Sequence, residues 1–238
     1  GDVYKRQGLD DTFVPMGFRD KDGKLTGFDI DLATAVFKEY GINVEFQPID
    51  WSMKEFELNN GTIDLIWNGY SKTDERAKKV QFTKPYMENS QVLITPKKSG
   101  ITSFAQMKDK IIGAQNGSSG YDIFTRQPET LKDIVKNKDA VLYDSFNEAL
   151  IDLKSGRIDG LLMDKVYAGY YLKQKNEIDE FNMTTGDYES ENFVVGARKS
   201  DDELVKKIND GIAQLEKNGE FQKISDKWFG EDVTPGAS

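Results

Sequence analysis

The sequence predicts an α/β fold. Helical and strand signals alternate almost throughout the chain. Residues 63–67 and 158–163 form nearly continuous apolar runs, the mark of strands covered on both faces. Each run follows a similar unit. Leu58-Asn59-Asn60-Gly61-Thr62-Ile63-Asp64 and Leu153-Lys154-Ser155-Gly156-Arg157-Ile158-Asp159 agree at Leu, Gly, Ile and Asp. The repeat reads either as convergent helix-turn-strand grammar or as two similar α/β lobes holding one copy each. Two copies are too few for a solenoid.

The elements follow in order. Val3-Tyr4-Lys5-Arg6-Gln7-Gly8 stands where an opening strand should lead into Leu9-Asp10. A buried strand does not normally carry Lys-Arg-Gln in succession. This end therefore reads as frayed and edge-like, or as a stretch foreign to the native protein; the second is preferred. Residues 29–40 place Ile30, Ala33, Phe37 and Tyr40 on one helical face, stopped by Gly41. Residues 44–49 read as a strand. Ser52-Met53-Lys54-Glu55 and Ser145-Phe146-Asn147-Glu148 are capping-box patterns opening helices that stop near Gly61 and at Gly156. Gln91-Val92-Leu93-Ile94-Thr95-Pro96, with the polar stretch 97–100, is the candidate crossing between lobes, and 186–191 a second. Residues 202–229 read as helical, with Leu204, Ile208, Ile212 and Leu215 on one face, and 231–238 as a frayed tail.

Composition excludes many functions. The chain has 238 residues, enough for one large domain or two small ones. Hydrophobic residues at 37% and charged residues at 31% are ordinary for a soluble protein. A net charge of −9 argues against a general nucleic-acid binder and against docking on an anionic membrane. Without Cys or His there is no disulfide, no thiolate or His-based triad, and no usual zinc site. No apolar run approaches the ~20 residues that span a bilayer. No signal peptide is visible, and a leader removed earlier is compatible with the abrupt start.

Five clusters could carry chemistry. Asp10-Asp11-Thr12-Phe13-Val14-Pro15 sits at the expected end of the first strand, where α/β sheets collect ligands. Asp10 can anchor a cation and Phe13 supply a wall; the alternative is a solvated turn. Trp51 can stack on a flat or cationic side chain, or can simply be core. In Asn68-Gly69-Tyr70-Ser71-Lys72-Thr73-Asp74-Glu75-Arg76, Gly69 allows close backbone approach and Ser71 offers a hydroxyl. Arg76 lies in the first turn of a helix that Thr73 can cap. A cation there wants an anion in front of it, a carboxylate or else Asp74 or Glu75. Gln115-Asn116-Gly117-Ser118-Ser119-Gly120-Tyr121 is a Gly/Ser turn able to form an anion nest, without the spacing of a nucleotide loop. Asp164 ends the second buried run and suits an ammonium, or caps the following helix. Together these groups complement a free α-amino acid.

Those residues carry a resemblance. The chain resembles the extracytoplasmic solute-binding proteins, family 3, of polar amino-acid ABC importers. The similar stretches are Phe13-Val14-Pro15, Gly27-Phe28-Asp29-Ile30-Asp31-Leu32, Thr73-Asp74-Glu75-Arg76, Phe82-Thr83-Lys84-Pro85-Tyr86 and Lys227-Trp228-Phe229-Gly230. The resemblance implies a two-lobe periplasmic-binding-protein-like fold of type II with two hinge strands. Lobe 1 would take residues 1–90 and 190–238, and lobe 2 residues 91–189. It implies Arg76 on the α-carboxylate, helped by backbone N–H groups at Ser71 and Ser118. Asp164, the Gly69 carbonyl and the Ser71 hydroxyl would hold the α-ammonium. Asp10, Phe13, Trp51, Asn68 and Gln115 would line the side-chain pocket.

The expected partners are a free amino acid and an importer permease. No cofactor, metal, nucleic acid or membrane insertion of this chain is expected, and the protein is expected to be a monomer. It would be extracytoplasmic, lipid-anchored at the cell surface or periplasmic, and trimmed of its leader. Asp10 and Glu55 beside two aromatics favour a cationic side chain, arginine or lysine; glutamine or cystine are the alternatives. A rival reading is a cyclohexadienyl-dehydratase-like enzyme on the same fold with Glu55 as general acid. A sensory or adhesion module using the same trap is a third.

Overall fold

The computed structural model describes residues 4–230 and 232–235. The chain order is β1 (Tyr4–Leu9), β2 (Thr12–Phe13), β3 (Gly17–Arg19), β4 (Leu25–Thr26), α1 (Phe28–Lys38), β5 (Asn43–Pro48), α2 (Lys54–Asn59) and β6 (Leu65–Ser71). Next come α3 (Asp74–Ala77), β7 (Gln81–Phe82), β8 (Met87–Asn89), β9 (Gln91–Pro96), β10 (Ile112–Gln115), α4 (Ser119–Arg126) and β11 (Val141–Tyr143). The chain ends with α5 (Phe146–Ser155), β12 (Gly160–Asp164), α6 (Lys165–Gln174), β13 (Phe181–Thr185), β14 (Glu191–Ala197), α7 (Asp202–Asn218) and α8 (Glu220–Phe229). It divides into two compact units, Gly1–Glu88 with Glu191–Ser238, and Asn89–Ser190.

Unit 1 is built on a sheet in the order β5-β1-β6-β14-β7. β1 runs parallel to both neighbours, and β14 antiparallel to β6. Every residue of β6 from Leu65 to Tyr70 is buried, as its apolar run requires. The opening strand is neither frayed nor an edge. Val3 lies outside the described residues, but β1 pairs on both sides. Its polar side chains find protein partners: Gln7, fully buried, donates from Nε2 to the Trp67 carbonyl, though its Oε1 has no hydrogen bond among the described residues, and Arg6 pairs with Asp64. The helix α1 ends at Lys38, before Tyr40. That tyrosine is half-exposed, its hydroxyl donating to the Lys207 carbonyl.

The C-terminal segment is two helices rather than one. Gly219 at φ +86° takes the left-handed conformation that breaks α7 from α8. Leu204, Ile208, Ile212 and Leu215 are all buried, as their spacing predicts. α8 returns to α1: Lys227 Nζ and Trp228 Nε1 both donate to Asp31 Oδ2 at 2.8 Å. Of the expected tail, residues 231 and 236–238 lie outside the described residues. Val233 N–H is not frayed; it donates to the buried Ser225 Oγ at 2.9 Å.

Unit 2 has a sheet in the order β11-β10-β12-β9-β13. β10 is parallel to β11 and β12, and β9 antiparallel to β12 and β13. α5 and α6 cover one apolar cluster around Leu161 and Met163; the other holds Phe124, Leu131 and Leu162. Ser145 caps α5 as expected, its Oγ accepting from Glu148 N–H, and Gly156 ends the helix. Ser52 does not cap its helix. Asp50, two residues earlier, accepts both the N–H and the hydroxyl of Ser52 and starts a short 3-10 turn at Trp51–Met53 before α2. Asp50 thus takes the Ser52 N–H that the capping box assigns to the Glu55 carboxylate.

Candidate functional site

In unit 1, β6 delivers most of the expected groups. Gly69 has φ +56°. Its absent Cβ would stand 3.1 Å from the Phe13 ring and 3.3 Å from Met16 Cγ, so no other residue fits without strain. Its N–H donates to Asp29 Oδ2 at 2.6 Å, and Tyr86 Oη donates to Asp29 Oδ1 at 2.7 Å. Asp29 is fully buried in the first turn of α1; burial pushes its carboxyl up to about 7, against these hydrogen bonds. Phe13 packs edge-on to Phe193, at 6.5 Å between centroids.

Asn68 departs from expectation. It is fully buried, with Nδ2 donating to the Asp10 carbonyl at 3.0 Å and Oδ1 against Gly17. It supports the Asp10 turn instead of lining an open wall. Asp10 Oδ1 accepts both the hydroxyl and the N–H of Thr12. Its Oδ2 has no hydrogen bond among the described residues.

Arg76 is capped into place as expected, its N–H donating to Thr73 Oγ1 at 3.1 Å. It pairs with neither Asp74 nor Glu75. The guanidinium lies 4.5 Å over the Tyr70 ring, donates from one terminal nitrogen to the Ser71 carbonyl at 2.6 Å, and brings Nε to 3.8 Å from Glu55 Oε1. Tyr70 Oη donates to Glu55 Oε1 at 3.0 Å, and Lys54 Nζ stands 3.4 Å from Glu55 Oε2. Lys54 also covers the Trp51 ring at 4.9 Å; burial draws its ammonium down, opposed by Glu55. Trp51 packs edge-on to Tyr70 at 5.9 Å. Arg76 is thus braced on one side, and its second terminal nitrogen has no hydrogen bond among the described residues. Glu55 is tied to two cations, Lys54 and Arg76. Ser71 Oγ donates to Glu191 Oε2 at 3.2 Å, which leaves the hydroxyl oxygen able to accept from an ammonium.

In unit 2, Ser118 caps α4, its Oγ accepting from Tyr121 N–H at 3.1 Å. Its own N–H is committed to the Gln115 carbonyl at 3.2 Å, so the expected N–H donor at Ser118 is already used within the turn. The open donors of an α-helix lie in its first turn, here at Ser119 and Gly120. Gln115 turns Nε2 toward the Asp144 carbonyl at 3.0 Å. Asp164 precedes α6 without capping it. Its Oδ1 accepts instead from Gln91 Nε2 at 2.5 Å, Ser119 Oγ at 3.2 Å and Asn89 Nδ2 at 3.3 Å. Sequence reasoning missed Tyr70, Lys54, Asn89 and Gln91 as neighbours of these groups. A polar Gln opening the apolar strand 91–94 was the one available signal.

No group of His, Cys, Asp and Glu able to hold a metal exists among the described residues. No helix there is long and apolar enough to cross a membrane.

The family model for bacterial extracellular solute-binding proteins, family 3, matches residues 6–231. The L-cystine-binding protein TcyJ of Escherichia coli is 34% identical over 229 residues, covering 95% of this chain and 83% of that protein. The ABC transporter arginine-binding protein 1 of Escherichia coli is 33% identical over 224 residues, covering 93% and 89%. A crystal structure of an ABC uptake transporter substrate-binding protein from Streptococcus pneumoniae with bound histidine is 60% identical, with a TM-score of 0.82, covering 98% of this chain and 95% of that one.

Proposed function

The chain belongs to the bacterial extracellular solute-binding proteins, family 3, and from that premise we propose that it captures one free polar L-amino acid and delivers it to an ABC importer permease. It has the two-lobe α/β fold of that family, and it is an amino-acid-binding protein of ABC uptake rather than an enzyme. Arg76 takes the α-carboxylate and Asp164 the α-ammonium. The observation that carries this reading is the bracing of Arg76. Tyr70, Ser71 and Glu55 hold it while one guanidinium nitrogen stays open. The ligand stabilises the form that binds it by its differential affinity, and the permease reads that form. No bond is made or broken.

The side chain is neutral or weakly basic and polar, as in histidine, glutamine or cystine. Glu55, the acid that favoured a cationic ligand, is neutralised by Lys54 and Arg76, and Lys54 covers Trp51. The histidine-bound relative and the cystine-binding relative support this choice. Arginine or lysine is the second reading. It is favoured by the open Oδ2 of Asp10 and by the arginine-binding relative. Release outside the cytoplasmic membrane, whether lipid-anchored or periplasmic, and action as a monomer complete the proposal. A thermal-shift panel of the twenty amino acids with cystine and ornithine tests it, because a ligand bound only by the folded state raises the melting temperature. The reading expects a shift with a few polar members; no shift with any of them would overturn it.

A further inference from the structure

Gln91 opens β9 directly across from Asp164 of β12 in the antiparallel register. It is 4% exposed, and its two amide atoms serve different neighbours. Nε2 donates to Asp164 Oδ1 at 2.5 Å and to Ser119 Oγ at 3.2 Å. Oε1 faces the first turn of α4 so closely that a Cβ at Gly120 would stand 2.6 Å from it. Asn89, 2% exposed, donates to the same Asp164 oxygen at 3.3 Å and accepts from Val166 N–H at 3.4 Å. Asp164 therefore has one oxygen with three donors. Its Oδ2 has no hydrogen bond among the described residues.

We propose that Gln91 is the positioning residue of the ammonium site: it fixes Asp164 so that Oδ2 is presented to the ligand, and ties that carboxylate to the first turn of α4. The proposal rests on Asp164 as the ammonium acceptor. The chemistry suits an amide. A Lys or Arg at position 91 would neutralise Asp164 and cancel its attraction for an ammonium. A Glu would repel it. A neutral donor holds the carboxylate without altering its charge, and a carboxylate held beforehand loses less side-chain entropy when the ligand arrives.

The test is Gln91→Met, which keeps the length and removes both polar atoms. Calorimetry is run with L-histidine, L-glutamine, L-cystine and L-arginine, and with the des-amino acid of whichever binds most tightly. The expected result is a loss of about tenfold or more for the amino acid, the size of a charged hydrogen bond, and less than twofold for the des-amino acid. Amino-acid affinity within twofold of wild type overturns the proposal, as does an equal loss for both probes. A crystal structure of the ligand-free variant decides the matter independently of affinity. A changed Asp164 side-chain rotamer supports the proposal, and an unchanged one overturns it. Failure of all four amino acids to bind the wild-type protein would instead overturn the functional reading beneath it.

Discussion

Asp64 and Asp159 make the same pair of hydrogen bonds in different units. Asp64 N–H donates to the Arg6 carbonyl at 2.8 Å, and Asp64 Oδ2 accepts the Arg6 N–H at 2.9 Å. Asp159 N–H donates to the Ile111 carbonyl at 2.8 Å, and Asp159 Oδ2 accepts the Ile111 N–H at 2.8 Å. One residue further on, Gln7 faces Leu65 and Ile112 faces Gly160 in parallel register. The preceding glycines, Gly61 and Gly156, have φ of +87° and +82°. The short repeat read in the sequence is therefore one structural device used twice. A turn reverses a helix into a parallel strand, and an aspartate clamps the start of the strand beside it.

Removing either clamp strands a backbone N–H. Asp159→Ala is expected to lower stability by about 1–3 kcal/mol. Asp64→Ala is expected to cost more, because the Arg6 and Arg198 guanidinium groups also pair with that carboxylate. Burial opposes its ionisation, but the Arg6 N–H and both guanidinium groups hold Asp64 below the usual carboxylate range. Urea unfolding of the two variants checks the order; equal losses would contradict it.

A second matched pair lies beneath the clamps. A Cβ at Gly8 would stand 2.4 Å from Ile63 Cδ1, and one at Gly113 would stand 2.8 Å from Ile158 Cδ1. Gly8→Ala should destabilise by about 1–3 kcal/mol through overpacking. Ile63→Val removes the clashing methyl. The double variant should then be more stable than the sum of the single losses, a coupling measurable by the same unfolding experiment. Simple additivity would show that the glycine is not there for this contact.

Arg76→Ala should abolish the ligand-induced melting shift, and Arg76→Lys should weaken binding by about tenfold or more, since a lysine cannot present a braced fork. Calorimetry on folded protein checks both. Near-wild-type affinity in Arg76→Ala would remove Arg76 from the site.

Asp29 makes stability depend on pH. Its folded value lies at about 7 against 3.8 for the free side chain, so the native state holds the proton more tightly. The stabilisation is fully present below about 4 and is lost as pH rises toward about 7, with a slope approaching about 1.4 kcal/mol per pH unit. The groups facing the carboxyl are the Tyr86 hydroxyl, the Gly69 N–H and Trp67. Asp29→Asn should flatten unfolding free energy between pH 5 and 7 relative to wild type. A parallel pH profile in the two proteins would rule this out.

Much of the fold was legible because local chemistry and tertiary burial agree. The run 63–67 lies within the buried stretch that ends in β6, and Ser145 and Gly156 bound α5 where their side chains and φ demand. Where two local options competed, the sequence could not rank them: Asp50 took the Ser52 N–H that the capping box assigns to Glu55. Residues 202–229 were read as one helical stretch, yet Gly219 ends one helix and begins another. Polar partners distant in sequence were the least legible. Lys5-Arg6-Gln7 seemed wrong for a paired strand until Asp64 and the Trp67 carbonyl supplied partners nearly sixty positions away. Arg76 was read as wanting an anion, and its protein brace, Tyr70 and Glu55, comes from a neighbouring strand and helix that the local pattern does not reveal.

Chain order sets when each unit can be finished. Every strand of the β11-β10-β12-β9-β13 sheet is contained between residues 89 and 190. The other sheet needs β14, which lies between β6 and β7 and is synthesised a hundred residues after them. A nascent chain that has reached residue 190 holds one whole unit and one with a missing slat. Arg76 then stands beside Ser71, whose hydroxyl still lacks Glu191. The later-starting unit is complete first, and the half that is expected to grip the carboxylate is assembled last.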